Sequence, residues 1–215
     1  AAIYAALLAR DPSDDAILNR QSVNGRVAAR IAMDVGDAEH GLAMLQALFD
    51  LHESRLAHDS ENTRWLDYYG LLQIETGSAL LALGNHGAAR EMADGALAVA
   101  RRLRSIDDSV TDWAIDNHCG ALLLAARAAF AEGDERAADA HLDEAEAVIM
   151  SVSAGKAPPG LDKPVIRTAL MRARLAERAG DSTAARHLAA DAAAKIDALI
   201  TKSGFEYKTV FIETY

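Results

Sequence analysis

Cysteine, proline and aromatic side chains are all scarce in this 215-residue chain. The single cysteine, Cys119, cannot close an internal disulfide, so no disulfide framework holds the fold. Four prolines leave room for long uninterrupted helices. No apolar run approaches the ~18 residues that a membrane span requires, so membrane insertion is not expected. Basic side chains are outnumbered 22 to 32, for a formal charge of −10. Net repulsion from phosphate argues against nucleic acid, or an anionic membrane surface, as a direct partner. Low-complexity polar tracts are missing too, and with 51% hydrophobic residues this excludes disorder for most of the length. The chain opens on Ala1-Ala2-Ile3, with neither Met nor a basic and apolar secretory leader. It reads as a fragment or a processed chain. The cytoplasm is the default expectation for its compartment, and the periplasm if a targeting segment lies upstream.

What the sequence has in abundance is alanine, 47 residues of it. Alanine is the best helix former, so the composition predicts an all-helical protein with enough apolar surface for a sizeable core. Four short turns recur at Gly36-Asp37, Gly84-Asn85, Gly133-Asp134 and Gly180-Asp181, spaced by 48, 49 and 47 residues. Glycine suits the left-handed position that ends one helix, and Asp or Asn caps the next. Small residues keep register with these turns. Seven residues before each glycine stand Ala29, Gly77, Ala126 and Ala173, and five after it stand Gly41, Ala89, Ala138 and Ala185. Twelve after it stand Leu48, Ala96, Ala145 and Ala192. Such positions let antiparallel helices approach closely, with Leu45, Met92, Leu142 and Leu188 filling the seam. Trp65 and Trp113, 48 residues apart, mark the entry of the first helix in two units.

This pattern resembles the tetratricopeptide repeat over nearly all of residues 12–202. The common repeat has a period of about 34 residues, so this chain resembles a long-helix variety found in bacterial signalling and regulatory proteins. The resemblance implies an all-α, right-handed superhelical solenoid of antiparallel hairpins, stacked because one hairpin cannot hide its apolar face alone. The expected hairpins run about 14–58, 61–104, 108–152 and 162–202, preceded by a partial unit at 1–10, so that the array covers 1–202. Loops at Asp59-Ser60-Glu61 and Ser105-Ile106-Asp107-Asp108 are expected to supply N-caps. The stretch 153–162, with Pro158-Pro159, reads as a lengthened loop within one array. The tail, 203–215, differs: Phe205, Tyr207, Phe211 and Tyr215 fall among its last eleven residues. It reads either as a segment packed over the last hairpin, or as a contact surface or the start of a further repeat or domain.

Catalytic and metal-binding patterns are missing from the sequence. Gly77-Ser78-Ala79 lacks the glycines of a nucleophile elbow, and Gly155-Lys156 lacks the rest of a phosphate loop. His52 and His58 lie on different faces of a helix, and the other histidines are scattered, so no zinc site is expected. His118 and Cys119 diverge by about 100° as neighbours on a helix, and Cys119 reads as a small buried apolar residue. Acid pairs such as Asp14-Asp15 and Glu144/Glu146 fall at caps or on solvated faces. Neither an enzyme, nor a cofactor, nor a metal is expected.

The resemblance further implies a concave face lined by the first helix of each hairpin, at positions 13, 10, 6, 3 and 2 residues before the turn glycine. Those positions hold Arg26, Arg30 and Asp34 in unit one, Ser78 in unit two, and Arg127 and Phe130 in unit three. Unit four contributes Arg167, Arg174 and Arg178. Apolar side chains such as Leu71, Ile74 and Leu123 lie between them. Arginine offers a planar fork for carboxylates, so the groove suits an acidic, partly apolar peptide. The alternative is that these arginines pair with neighbouring acids inside the array. The expected function is a non-catalytic protein–protein interaction or scaffold module, the sensor or partner-binding region of a larger bacterial regulatory protein. The rivals are a self-assembly module, a homo-oligomer joined through the array ends and tail, and a small-molecule effector-sensing domain.

Overall fold

In the computed structural model, residues 2–11, 14–106, 112–153 and 162–203 are described, and all their regular structure is helical. The helices are α1 (Ala2–Leu8), α2 (Asp15–Asp34), α3 (Ala38–His58), α4 (Thr63–Ala82) and α5 (His86–Ile106). They continue as α6 (Asp112–Glu132), α7 (Glu135–Ser153), α8 (Asp162–Arg178) and α9 (Ser182–Ser203). The aromatic tail, the Asp107-Asp108 caps, the Pro158-Pro159 loop and the Trp113 side chain lie outside the described residues.

Each hairpin is made by one turn geometry used four times. Gly36, Gly84, Gly133 and Gly180 have φ of 90°, 76°, 83° and 82°, a region that disfavours any side chain. The N–H of the next residue reaches back five positions: Asp37 to the Ala32 carbonyl, Asn85 to Leu80, Asp134 to Ala129 and Asp181 to Ala176, each 2.9 Å. The glycine N–H itself bonds three positions back, to Met33, Leu81, Phe130 and Glu177. This is the Schellman closure of a helix C-terminus. The same Asp or Asn then opens the following helix with its side chain, accepting from the N–H of His40, Ala88, Ala137 and Ala184 at 2.9–3.4 Å. One residue therefore ends one helix through its backbone and starts the next through its carboxylate or amide.

Between hairpins the caps differ. Asp14 accepts from Ala16 and Ile17 at the start of α2. At α4 the cap is Asn62, not the preceding Asp59-Ser60-Glu61, because the extended backbone of Asn62 aims its amide oxygen at the Trp65 N–H, 3.2 Å away. Asp59 is spent one step earlier, accepting from the Glu61 N–H and from the Asn62 side chain.

Helices pack in chain order, each against the next, except that α1 meets α2 only as a short piece. Packing also runs directly from α2 to α4, α4 to α6 and α6 to α8, whereas among the described residues α3, α5, α7 and α9 do not meet one another. The first helices of the hairpins thus form one continuous row and the second helices stand apart behind it. Small residues permit this. Ala29, Gly77, Ala126 and Ala173 are all buried, as are Gly41, Ala89 and Ala138, and Ala185 is half-buried. A Cβ on Gly77 would stand 2.4 Å from Leu124 Cδ2, so the glycine is what lets α6 seat a leucine against α4. Among the described residues, Ala93, Ala96, Leu97, Leu122, Leu124 and Ala145 belong to the largest buried apolar cluster, at the middle of the row.

Candidate functional site

The row α2–α4–α6–α8 carries the arginines singled out above, and three of its contacts bridge neighbouring first helices through them. Between α2 and α4, Arg26 donates from Nε and Nη2 to the two carboxylate oxygens of Glu75, at 2.8 and 3.0 Å. Both side chains are mostly covered, 13% and 19% exposed, so this is a bidentate pair in a partly desolvated place. Between α4 and α6, Arg127 Nη1 donates to Ser78 Oγ at 3.4 Å. Between α6 and α8, Arg178 Nη1 donates to the Phe130 carbonyl at 2.6 Å, and its guanidinium lies 3.4 Å above the Phe130 ring. Arg174 faces the same ring at 5.5 Å, so Phe130 sits among two cations.

The remaining candidates are placed but not gathered. Arg30 and Asp34 are exposed on α2, and Arg167 is half-buried on α8. Arg30, Arg127 and Arg174 each stand six residues before a turn glycine, and Ser78 holds that position in the second unit. Arg26 lies elsewhere in the register, and its charge is met by Glu75. Glu75 falls outside the five groove positions. It lies 49 residues after Arg26, one more than the 48 that separate Gly36 from Gly84, whereas the 49 residues between Ser78 and Arg127 are one full period, Gly84 to Gly133.

Several polar groups invisible to the repeat pattern lie beside this row. Ser22 Oγ and His52 Nε2 are 2.8 Å apart in a fully buried contact. Burial lowers the His52 pKa to about 4, helped by the Arg26 charge, so the ring is neutral there. Its edge meets Trp65 at 5.3 Å between centroids. On α4, Asp67 is buried and takes the Asn117 side-chain amide of α6 on both its carboxylate and its backbone carbonyl. Burial pushes its pKa up to about 7, against the pull of Arg26. Burial likewise lowers the His118 pKa and raises that of Cys119 to about 12, so this thiol carries no thiolate near neutrality. Away from the row, Arg172 of α8 is ringed by Asp139, Asp143 and Glu146 of α7.

Two shallow clefts of about 290 and 320 Å³ flank Trp65 and share Asp15 and Asn62; the second is also lined by Arg55, whose guanidinium lies 5.8 Å from the indole. They contain none of the arginine-row candidates. Among the described residues no three His, Cys, Asp or Glu side chains gather at metal-holding distances. No helix among them is long and apolar enough to cross a membrane. No protein-family model matches the chain, and no curated protein matches it in sequence.

Proposed function

We propose that this chain is a non-catalytic protein–protein interaction module of the tetratricopeptide-like kind, a right-handed superhelical solenoid whose first helices line a concave face. The observation that carries the reading is the row of first helices bearing Arg30, Arg127 and Arg174 at one register position. A repeated guanidinium at one register sets positive charge at helical-layer intervals along a rigid surface, inside a chain of net charge −10. A peptide laid across the layers meets a charge at every unit except the second, where Ser78 offers a hydroxyl. Leu71, Ile74 and Leu81, half-buried between them, supply apolar contact. The occupant that fits is an acidic peptide with interspersed apolar side chains, and a preformed surface holds it at low ordering cost. In this reading the chain is the sensor or partner-binding region of a larger bacterial regulatory protein.

An array of immobilised peptides rich in Asp or Glu with Leu and Phe tests it directly. For any peptide retained by the unsubstituted chain, Arg127→Glu together with Arg174→Glu should weaken binding at least tenfold and flatten its dependence on salt. Undiminished affinity in a variant of unchanged helicity would sink the assignment of the groove.

A further inference from the structure

In each first helix that follows another, the two positions nine and five residues before the turn glycine are turned inward. In α4 these are Glu75 and Ala79, where Glu75 takes Arg26 and Ala79 packs with Ala29, Leu45 and Leu48. In α6 they are Leu124, seated on Gly77, and Ala128, fully buried. In α8 they are Met171, 1% exposed, and Leu175, packed on Leu123, Ala126 and Leu142. The same two positions of α2 are Val27 and Ile31, which are 40% and 57% exposed. Val23 and Val35 extend the stripe and are also exposed, as is Ile3 of α1. Three aliphatic side chains in register along one face of a 20-residue helix, with Val35 at its C-cap, are a seam without its partner. The face has the chemistry of the contacts between hairpins inside the molecule and continues their row.

We propose that this face is closed by α2 of a second copy of the chain, running antiparallel across a two-fold axis at Val27. The sequence of the helix is self-complementary about that residue. With Val27 opposite its own copy, Val23 lies opposite Ile31 of the other helix, and Arg20 lies opposite Asp34. Arg20 and Asp34 are both exposed. The apolar seam is thus flanked at each end by an opposite-charge pair, and the two pairs form together by symmetry. A parallel arrangement would set Arg20 beside Arg20 and Asp34 beside Asp34, which selects the antiparallel one. Second-copy α2 is preferred to an unrelated helix because both halves of the match, apolar and charged, are on this helix.

Light scattering coupled to size-exclusion chromatography, on the 215-residue chain from micromolar to millimolar concentration, reads the outcome. The expected mass is twice 22.9 kDa at the upper concentrations. Val27→Asp with Ile31→Glu, both solvent-facing in the single chain, should return it to 22.9 kDa with an unchanged far-ultraviolet circular dichroism spectrum. Arg20→Glu alone should raise the dissociation constant about tenfold, since two rim pairs turn repulsive at once. Adding Asp34→Arg to Arg20→Glu should restore it. A mass of 22.9 kDa throughout overturns the proposal, and so does a dimer that persists in the folded Val27→Asp/Ile31→Glu variant.

Discussion

At the scale of single residues, glycines of this chain separate into those that are needed and those that are not. A Cβ on Gly41 would stand 2.8 Å from the Ala29 carbonyl oxygen and 2.6 Å from Met33 Cγ, and the backbone atom cannot move without parting α2 from α3. Helix propensity alone would favour alanine there by about 1 kcal/mol. The clash outweighs it, so Gly41→Ala should destabilise the protein by about 1–3 kcal/mol in urea denaturation. Gly87, in the first turn of α5, has nothing within 4 Å of its Cβ position. Gly87→Ala should stabilise by about 0.5–1 kcal/mol. Equal effects at the two sites would contradict the packing described.

The buried pair of titratable residues makes a second case. Asp67 is raised from 3.8 to about 7, so the folded protein holds a proton that the unfolded chain has lost. Its contribution is complete below about pH 4 and is lost as pH rises toward 7, at up to about 1.4 kcal/mol per unit. His52 is lowered from 6.5 to about 4, and the sign is opposite: its contribution is present above pH 6.5 and is lost as pH falls toward 4. The two slopes largely cancel between pH 4 and 6.5. Asp67→Asn keeps an acceptor for the Asn117 amide and removes one slope, so its melting temperature relative to the unsubstituted protein should climb steadily from pH 4 to 7. A constant difference across that range would mean that Asp67 is ionised in the fold throughout.

At the scale of elements, the sequence is most legible where local chemistry decides. The all-helical character follows from alanine content, and the four turns from a glycine that alone tolerates φ near 80°, followed by a residue able to cap. Those signals lie within six consecutive residues. Asp134→Ala removes the acceptor for the Ala137 N–H but leaves the backbone closure to Ala129 intact, so it should cost about 1 kcal/mol. Gly133→Val should cost more, because it strains both helices at once. Partners across the row are less legible. The period drifts between 47 and 49 residues, which shifts the opposing residue by one, and one residue turns a helix by about 100°. That is why Arg26 can be placed on a first helix from its register while Glu75 cannot be named as its partner. The Ser22–His52 contact has no sequence signal, since its members lie in different helices at no fixed offset. Truncating one member of the Arg26–Glu75 pair leaves the other charge mostly covered, and Glu75→Ala should therefore cost about 2–4 kcal/mol.

At the scale of the molecule, cover is unequal along the array. Buried residues are dense through α4, α5 and α6, while α1 exposes Ile3 and α9 exposes Ala189 and Ala190. Stability in stacked helical units is close to a sum over neighbours, so units with a neighbour on one side open first. Amide hydrogen exchange should be slowest in α4 to α6 and fastest in α1 and α9. Uniform protection along the chain would indicate one indivisible cooperative unit. If α2 pairs with a second copy, raising the protein concentration should slow exchange in α2 and leave α9 unchanged.

The four turns are alike, but the contacts that bridge successive first helices are not. One is an ion pair, one is a leucine fitted over a glycine, and one is an aromatic ring faced by two guanidiniums. Chains of near-identical units are prone to shuffle, with one unit docking in the berth of another during folding. Here each junction is keyed differently. Ala29 in the berth of Gly77 would put a methyl where Leu124 must go, and Glu75 in the berth of Met171 would leave a carboxylate among Leu123, Ala126 and Leu142. The common turn makes every unit the same shape, and the mismatched keys give the units an order.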